Sequence, residues 1–375
     1  MGASIAALAL IAVIAAISLQ ASAFGGTSAR PRAAAARHLT IGLSDNSPAI
    51  FNDPRVAWLG VKIARLVVPW DVAKLPQELA RQNVWLKAAR AAGVEPLVAF
   101  EQDPAHPTLL PSVSAYGAAV KAFMKLYPYV RDYTPWNEEN HYLQPTSKNP
   151  ERAAQYYNLL KSYCASCSIT AADVLDTPNM AEWVEQFLRY ANHPTLWGMH
   201  NYADLSSGTH TKTSLLLSLV HGQIWFTETG GVVWRYEHPN NGHRGYYIVH
   251  SEAYAAKVAS HLVALANISP RITRVYYYQW RVPKTLAWAK LHGKLSWDSG
   301  LIRPDCTVRA AFVVIARAMG RNPNKIPRAK LGPEGDCISP ISTPAPKTPS
   351  PTTTTTSTTT TTASTPEASG GSPAP

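Results

Sequence analysis

Two glutamates stand in surroundings that suit acid–base and nucleophilic work. Glu138 lies in Trp136-Asn137-Glu138-Glu139-Asn140-His141, and Glu228 lies in Phe226-Thr227-Glu228-Thr229. Each follows a short run of β-branched and aromatic residues of the kind that builds a buried strand. Two carboxyls that face one another across a cleft can cut an acetal: one gives a proton to the leaving oxygen while the other attacks the carbon or activates water. The donor needs its pKa raised, by apolar burial or a nearby carboxylate. The attacking group must stay ionised, which favours a cationic or hydrogen-bond-donating neighbour, and Arg65, His200 and Tyr202 are the candidates.

These side chains need a scaffold that brings distant strands to one face. From His38 to Gly320 the chain alternates short strand-like runs with amphipathic helical segments, the pattern of parallel βα units. Strands are expected over Leu39–Ser44, Ile63–Pro69, Val94–Phe100, Asp132–Trp136, Ser168–Val174, Leu196–Tyr202, Gln223–Thr227 and Arg274–Gln279. Helices are expected over Asp53–Gly60, Leu79–Ala92, Val113–Leu126, Pro150–Tyr163, Met180–Tyr190, Ser214–Val220, Ser251–Ala266 and Val308–Met319. Eight units in roughly 280 residues fit a (β/α)8 TIM barrel, an α/β fold with one catalytic domain and no exposed sheet edge. An open doubly wound sheet would want a Gly-rich phosphate turn, and Ile41-Gly42-Leu43-Ser44 supplies one glycine. Reactive groups in a barrel stand at the C-terminal ends of the strands. Here those ends carry Trp70-Asp71, Glu101, Glu138, His200-Asn201-Tyr202, Glu228 and Gln279-Trp280-Arg281.

Taken in order, Arg65 on strand two, Trp136-Asn137-Glu138 at strand four, His200-x-Tyr202 at strand six and Glu228 at strand seven resemble the clan A glycoside hydrolases, with families 5 and 39 nearest in character. The resemblance implies a retaining glycosidase that cleaves O-glycosidic bonds of a poly- or oligosaccharide by double displacement, with Glu138 as acid/base and Glu228 as nucleophile. It also implies that Asn137 holds the sugar 2-hydroxyl and that Arg65 and Tyr202 orient and ionise Glu228. His200 would contact substrate or the acid/base, Trp280 would floor the sugar subsite by stacking, and Trp136 would join the substrate-binding set. Many members read Asn-Glu-Pro, whereas Glu139 occupies the proline position here, so the two adjacent glutamates compete to point inward. Retention predicts carboxyls about 5 to 5.5 Å apart, and inversion a gap near 9 Å. A non-catalytic carbohydrate-binding barrel and a cell-surface transglycosylase are the alternatives, and no subsite motif picks out one sugar.

The surrounding sequence bears on location and partners. Residues 1–23 hold an apolar run from Ile5 to Ile17 and the small-x-small site Ala21-Ser22-Ala23, the marks of a signal peptide. Residues 24–37 are expected to be a disordered lead-in and 38–337 the barrel domain. The Ser/Thr/Pro-rich stretch 338–375 has too little to bury to order itself. A secreted or cell-surface monomer follows, with no membrane span once the signal is cut. Four cysteines in an exported chain are expected to be oxidised, and Cys164 with Cys167 and Cys306 with Cys337 are plausible pairs, although spacing alone does not fix connectivity. The net charge of +11 is spread without a block of five, which suits an acidic polymer or an anionic envelope and argues against nucleic-acid binding. No metal is expected, because His238 and His243 lack a third ligand at close spacing and Cys-Ala-Ser-Cys lacks a second pair. No dinucleotide or phosphate-loop pattern calls for a cofactor. The long segment Gly230 to Tyr247, with Trp234 and Tyr236, is expected to wall a subsite.

Overall fold

A computed structural model of the chain describes residues 39–237, 245–293 and 297–340. The expected signal peptide, the lead-in, most of the tail, and His238 and His243 lie outside the described residues.

The parallel strands are β1 (Thr40–Ser44), β2 (Ile63–Pro69), β3 (Glu95–Glu101), β4 (Asp132–Thr134), β5 (Ser168–Ile169), β6 (Asp173–Leu175), β7 (Leu196–His200), β8 (Gln223–Thr229) and, after the hairpin of β9 (Trp234–Glu237) and β10 (Tyr246–Val249), β11 (Ile272–Tyr278). They form one curled sheet in the order β5-β4-β3-β2-β1-β11-β8-β7-β6. β5 and β6 are two halves of the fifth expected strand. The chain between them closes the ring: Thr170 N donates to Tyr133 O at 3.0 Å on one side, and Ala171 N donates to Leu196 O at 2.7 Å on the other. The helices are α1 (Pro54–Leu59), α2 (Pro76–Ala91), α3 (Val113–Leu126), α4 (Pro150–Tyr163), α5 (Met180–Leu188), α6 (Tyr202–Ser207), α7 (Thr211–Leu219), α8 (Glu252–Leu265), α9 (Leu286–Leu291) and α10 (Ala310–Ala318). Among the described residues no helix is long and apolar enough to cross a membrane.

Local sequence explains where these elements start. Pro54, Pro76 and Pro150 each occupy a first helical turn, where the missing N–H is no loss. Ser112 and Ser251 cap α3 and α8 by accepting from Ala115 N and Tyr254 N. Strand alternation then sorts the side chains. Ala64, Leu66, Val68, Val98 and Phe100 face the helices in the main core, while Ile63, Leu97, Trp225 and Tyr276 form a separate cluster inside the barrel. The inward rows of β2 and β3 therefore run Ile63-Arg65-Val67 and Leu97-Ala99-Glu101, apolar at the floor and polar at the mouth.

Strand β4 stops at Thr134, two residues short of expectation, and the fifth strand breaks for a related reason. The Glu139 and Asn140 side chains take the places that a longer β4 would fill beside β6. Glu139 Oε2 accepts from Asp173 N at 2.6 Å. Asn140 accepts from Leu175 N at 2.8 Å and donates to Leu175 O at 2.9 Å. Both expected disulfides are present, Cys164–Cys167 and Cys306–Cys337. β9 and β10 pair with each other and with the short β12 (Trp297–Asp298), so the expected loop is a small antiparallel sheet beside the barrel mouth. A last hairpin joins β13 (Lys330–Leu331) to β14 (Cys337–Ile338).

Candidate active site

Arg65 is at the centre of the mouth. It is fully buried on β2, and its guanidinium reaches Ser44 Oγ at 3.3 Å, Glu228 Oε2 at 2.8 Å, Asn137 Oδ1 at 2.6 Å and Asp173 Oδ2 at 2.7 Å, with His200 Nε2 at 3.4 Å beside them. A buried cation survives only when paired and hydrogen-bonded, and three acidic or amide oxygens supply that here. Asp173 lies beneath, fully buried, and binds Arg65, Thr227 Oγ1 and His200 Nε2, the last at 3.1 Å. Gly198 leaves the room for it, since a Cβ there would collide with the Asp173 carboxyl and with Thr227. Burial raises the Asp173 carboxyl, but His200 and Arg65 outweigh it and hold the group below the ordinary carboxylate range.

His200, also fully buried, links this base to Glu138 through Nδ1, which lies 3.1 Å from Glu138 Oε1. Burial lowers its pKa, yet Asp173 and Glu228 override that and push it up to about 10, so it sits as an imidazolium donating from both nitrogens. Glu138 Oε2 lies 3.6 Å from His141 Nδ1. On the other side, Tyr202 donates to Glu228 Oε1 at 3.1 Å, so Arg65 and Tyr202 grip one Glu228 oxygen each. Oxygens of Glu138 and Glu228 lie within 4.8 Å of one another, and both side chains are partly exposed to the cleft. Glu138 has φ 53°, a left-handed backbone that costs a non-glycine residue about 1–3 kcal/mol and recurs where a site demands it. Glu139, by contrast, is buried, and burial plus Asp173 raise its carboxyl well above the ordinary range. Of the two adjacent glutamates, Glu138 faces the cleft.

The general-acid expectation of a raised pKa is not met in the ligand-free state. Burial raises the Glu138 carboxyl, but hydrogen bonding to and the charge of His200, with help from His141 and Arg65, lower it overall. Two other carboxyls of the cleft are raised: Glu101 at the end of β3, pushed up to about 7 by burial, with Arg65 opposing and Glu138 and Glu228 adding, and Asp45 after β1, pushed up to about 6 by burial against its hydrogen bonds from Ser47 and Trp280.

Two expected substrate contacts are elsewhere. Trp280 is buried: its indole N–H donates to Asp53 Oδ2 at 3.0 Å and its ring packs edge-on against Phe312, so it braces α1 and α10 and cannot floor a subsite. Trp136 is likewise buried, stacked near Tyr156 and donating to Gln144 Oε1 at 2.9 Å. Tyr278, two residues before Trp280, faces the cleft instead. Asn137 lines the cleft beside Glu138, and His200 and Arg65 lie beneath it. Asp173 was missed by the sequence reading; a lone acid in the apolar run Ala171-Ala172-Asp173-Val174 was the available signal.

The cleft passes the glutamate pair on both sides. A recess of about 430 Å³ lies toward β1, β2 and β3, and one of about 480 Å³ lies toward Tyr142, Tyr202, Tyr236 and Trp297; Glu138, Glu228 and Tyr278 line both. A further recess of about 390 Å³ continues the second past Tyr202, Arg235 and Trp297. Tyr236 on β9 thus forms part of a cleft wall. Glu138, His200 and Glu228 each bring one ligand-type atom to within 4.8 Å of the others, and the two His200 nitrogens face Glu138 and Asp173.

The sequence matches no known family model and no curated protein. Its structure is similar to xylanase 10B from Thermotoga maritima, with a TM-score of 0.55 and 10% identity over 76% of this chain and 95% of that one. It is similar also to GH5_18 from Streptomyces cattleya in complex with GlcNAc, with a TM-score of 0.53 and 16% identity over 80% and 86%. A GH39 β-xylosidase from Caulobacter crescentus matches with a TM-score of 0.52 and 12% identity over 75% and 70%. The fold that the chain shares with these structures is an α/β barrel in a single domain.

Proposed function

We propose that this chain is a retaining glycoside hydrolase, exported from the cell, that cleaves O-glycosidic bonds of a poly- or oligosaccharide. The observation that carries the reading is the approach of Glu138 and Glu228 oxygens to within 4.8 Å from opposite sides of the cleft. That gap leaves room for one acetal and none for an interposed water, as double displacement requires. Glu228, gripped by Arg65 and Tyr202, attacks the anomeric carbon while Glu138 protonates the departing oxygen. A glycosyl ester on Glu228 results. Glu138, now a carboxylate, takes a proton from water, whose oxygen attacks the same carbon and frees Glu228. Asn137, fixed by Arg65, is placed to hold a sugar hydroxyl beside Glu138. A ring entering the cleft removes water from Glu138, which strengthens the burial effect that favours its protonated form. Export is supported by the small-x-small site at Ala21-Ser22-Ala23 and by the two disulfides.

The test is a panel of aryl glycosides and polysaccharides, with the product anomer followed by NMR and a 2-fluoro glycoside used to trap the ester. The expected result is retained configuration, an adduct on the peptide carrying Glu228, and loss of sugar release in Glu228→Gln. Unchanged release by that variant, or inverted product, overturns the assignment.

A further inference from the structure

The recess on the β1–β3 side is lined by four carboxyl side chains, Asp45, Glu101, Glu138 and Glu228, and by no Lys or Arg side chain among the described residues. Three of the four are occupied. Asp45 accepts from Ser47 N at 2.8 Å and from Trp280 N at 2.9 Å, which ties β1 to the end of β11. Glu138 is held by His200, and Glu228 by Arg65 and Tyr202. The Glu101 carboxyl alone makes no hydrogen bond or ion pair among the described residues, although it stands at the top of the inward row Leu97-Ala99-Glu101 and opens into the recess. A half-buried polar group without a partner is costly unless a ligand or water completes it.

We propose that Glu101 is a specificity residue of this recess: it hydrogen-bonds a ring that carries hydroxyl or amino donors and turns away one that carries a carboxylate or sulfate. The chain's net charge of +11 suggests an acidic glycan, but that charge lies elsewhere. Arg65, the only guanidinium beneath the recess among the described residues, has its amino groups committed to Ser44, Asn137, Asp173 and Glu228. An anionic ring would meet like charge and find no free cation, and discrimination of that kind comes from the repulsive partner as much as from the attractive one. A neutral ring can donate to the ionised Glu101 carboxylate, the form that predominates above about pH 7 and that repels an anionic ring.

The inference rests on reading the cleft as a sugar site, but its test needs no turnover. Thio-linked disaccharides, uncleavable and matched except for a C6 hydroxymethyl or carboxylate on the non-reducing ring, are titrated by calorimetry into wild type, Glu101→Gln and Glu101→Ser in the gluco, galacto and manno series. Wild type is expected to bind the best neutral compound at least about 30-fold more tightly than its uronate, and either variant to close that gap to under about fivefold, the scale expected when one like charge is removed. A wild type that favours the uronate or binds no member, or variants that weaken both partners of a pair alike, overturns the proposal. Binding with this selectivity but no hydrolysis of any glycoside would instead remove the enzymatic reading and leave the role of Glu101 standing.

Discussion

Two arginine–aspartate pairs sit inside the barrel, one at each end, and their surroundings set them apart. At the floor Arg274 on β11 pairs with Asp132 on β4 and lies 3.9 Å from the centre of the Trp225 ring. Both side chains of that pair reach some solvent, with exposures of 22% and 9%. At the mouth Arg65 and Asp173 are both at 0%; the Arg65 amino groups also reach Glu228 and Asn137, which line the cleft, and Asp173 also binds His200, which supports Glu138. The floor pair crosses the barrel and ends there. The mouth pair is the base of a network that reaches Glu228 through Arg65 and Glu138 through His200. The same ion pair is thus a closure in one layer and a positioning device in another, because the inward rows change from apolar to polar toward the strand ends.

Replacing each arginine by methionine separates these roles and should give the largest contrast. Arg65→Met removes a donor from Glu228 and takes from the buried Asp173 one of its two cationic partners, leaving His200 and the Thr227 hydroxyl. We expect kcat/KM to fall by about 10²- to 10³-fold, the loss typical of one preorganised electrostatic contact. Stability should fall by about 3–5 kcal/mol, the cost of breaking a buried pair. Arg274→Met should lower stability by less, since solvent reaches that pair, and leave kcat/KM within about threefold of wild type once unfolded protein is subtracted. Steady-state kinetics with chemical denaturation on the same preparations checks both. Equal losses of kcat/KM in the two variants would erase the distinction.

Of these two pairs only Arg65 was singled out in the sequence, although the strands and most of the mouth residues were legible there. The βα alternation located the strands because buried parallel strands are enriched in β-branched and aromatic residues. Arg65, Asn137, Glu138, His200, Tyr202 and Glu228 were selected by strand position, and the structure brings these six to one end of the barrel. Trp136 and Trp280 were selected because they stand at the ends of strands four and eight, yet a place at a strand end does not specify the side on which a ring emerges once the strand has ended. Trp136 turns outward to Tyr156, and Trp280 to Asp53 and Phe312. The break in the fifth strand was hidden because it depends on Glu139 and Asn140, side chains that imitate a backbone edge only after the chain has folded. Asp173 was hidden with it.

A change of smaller size should sharpen the comparison at Asp173. Asp173 is the largest of the groups that raise the His200 pKa, and His200 is the main group that lowers the Glu138 pKa. In Asp173→Asn, His200 loses its principal anion, so it becomes neutral at a lower pH and no longer presents a positive charge to Glu138 there. The Glu138 carboxyl then keeps its proton to higher pH. The basic limb of the kcat/KM profile, which reports the essential acid of the free enzyme, should therefore move upward in the variant, alongside a drop in the maximum. Asp132→Asn at the floor should leave the limb in place. A limb that stays put in Asp173→Asn would mean that His200 does not couple the buried pair to the acid.

The smallest effect concerns stability, and its sign follows from His200 itself. The folded-state pKa is pushed up to about 10 from an ordinary 6.5, so the folded protein holds that proton more tightly than the unfolded chain does. The stabilisation is complete below about 6.5 and is lost as the pH rises through about 10. His200→Gln has no such proton to lose. The difference in Tm between wild type and this variant, read by thermal denaturation at a series of pH values, should shrink steadily across that window, whatever Asp45, Glu101 and Glu139 contribute to both curves. At roughly 2–4 °C per kcal/mol for a domain of this kind, the change is within reach of calorimetry. A difference that holds constant from pH 6.5 to 10 would show that the imidazole is already neutral in the folded protein, and the network at the mouth would then carry one cation rather than two.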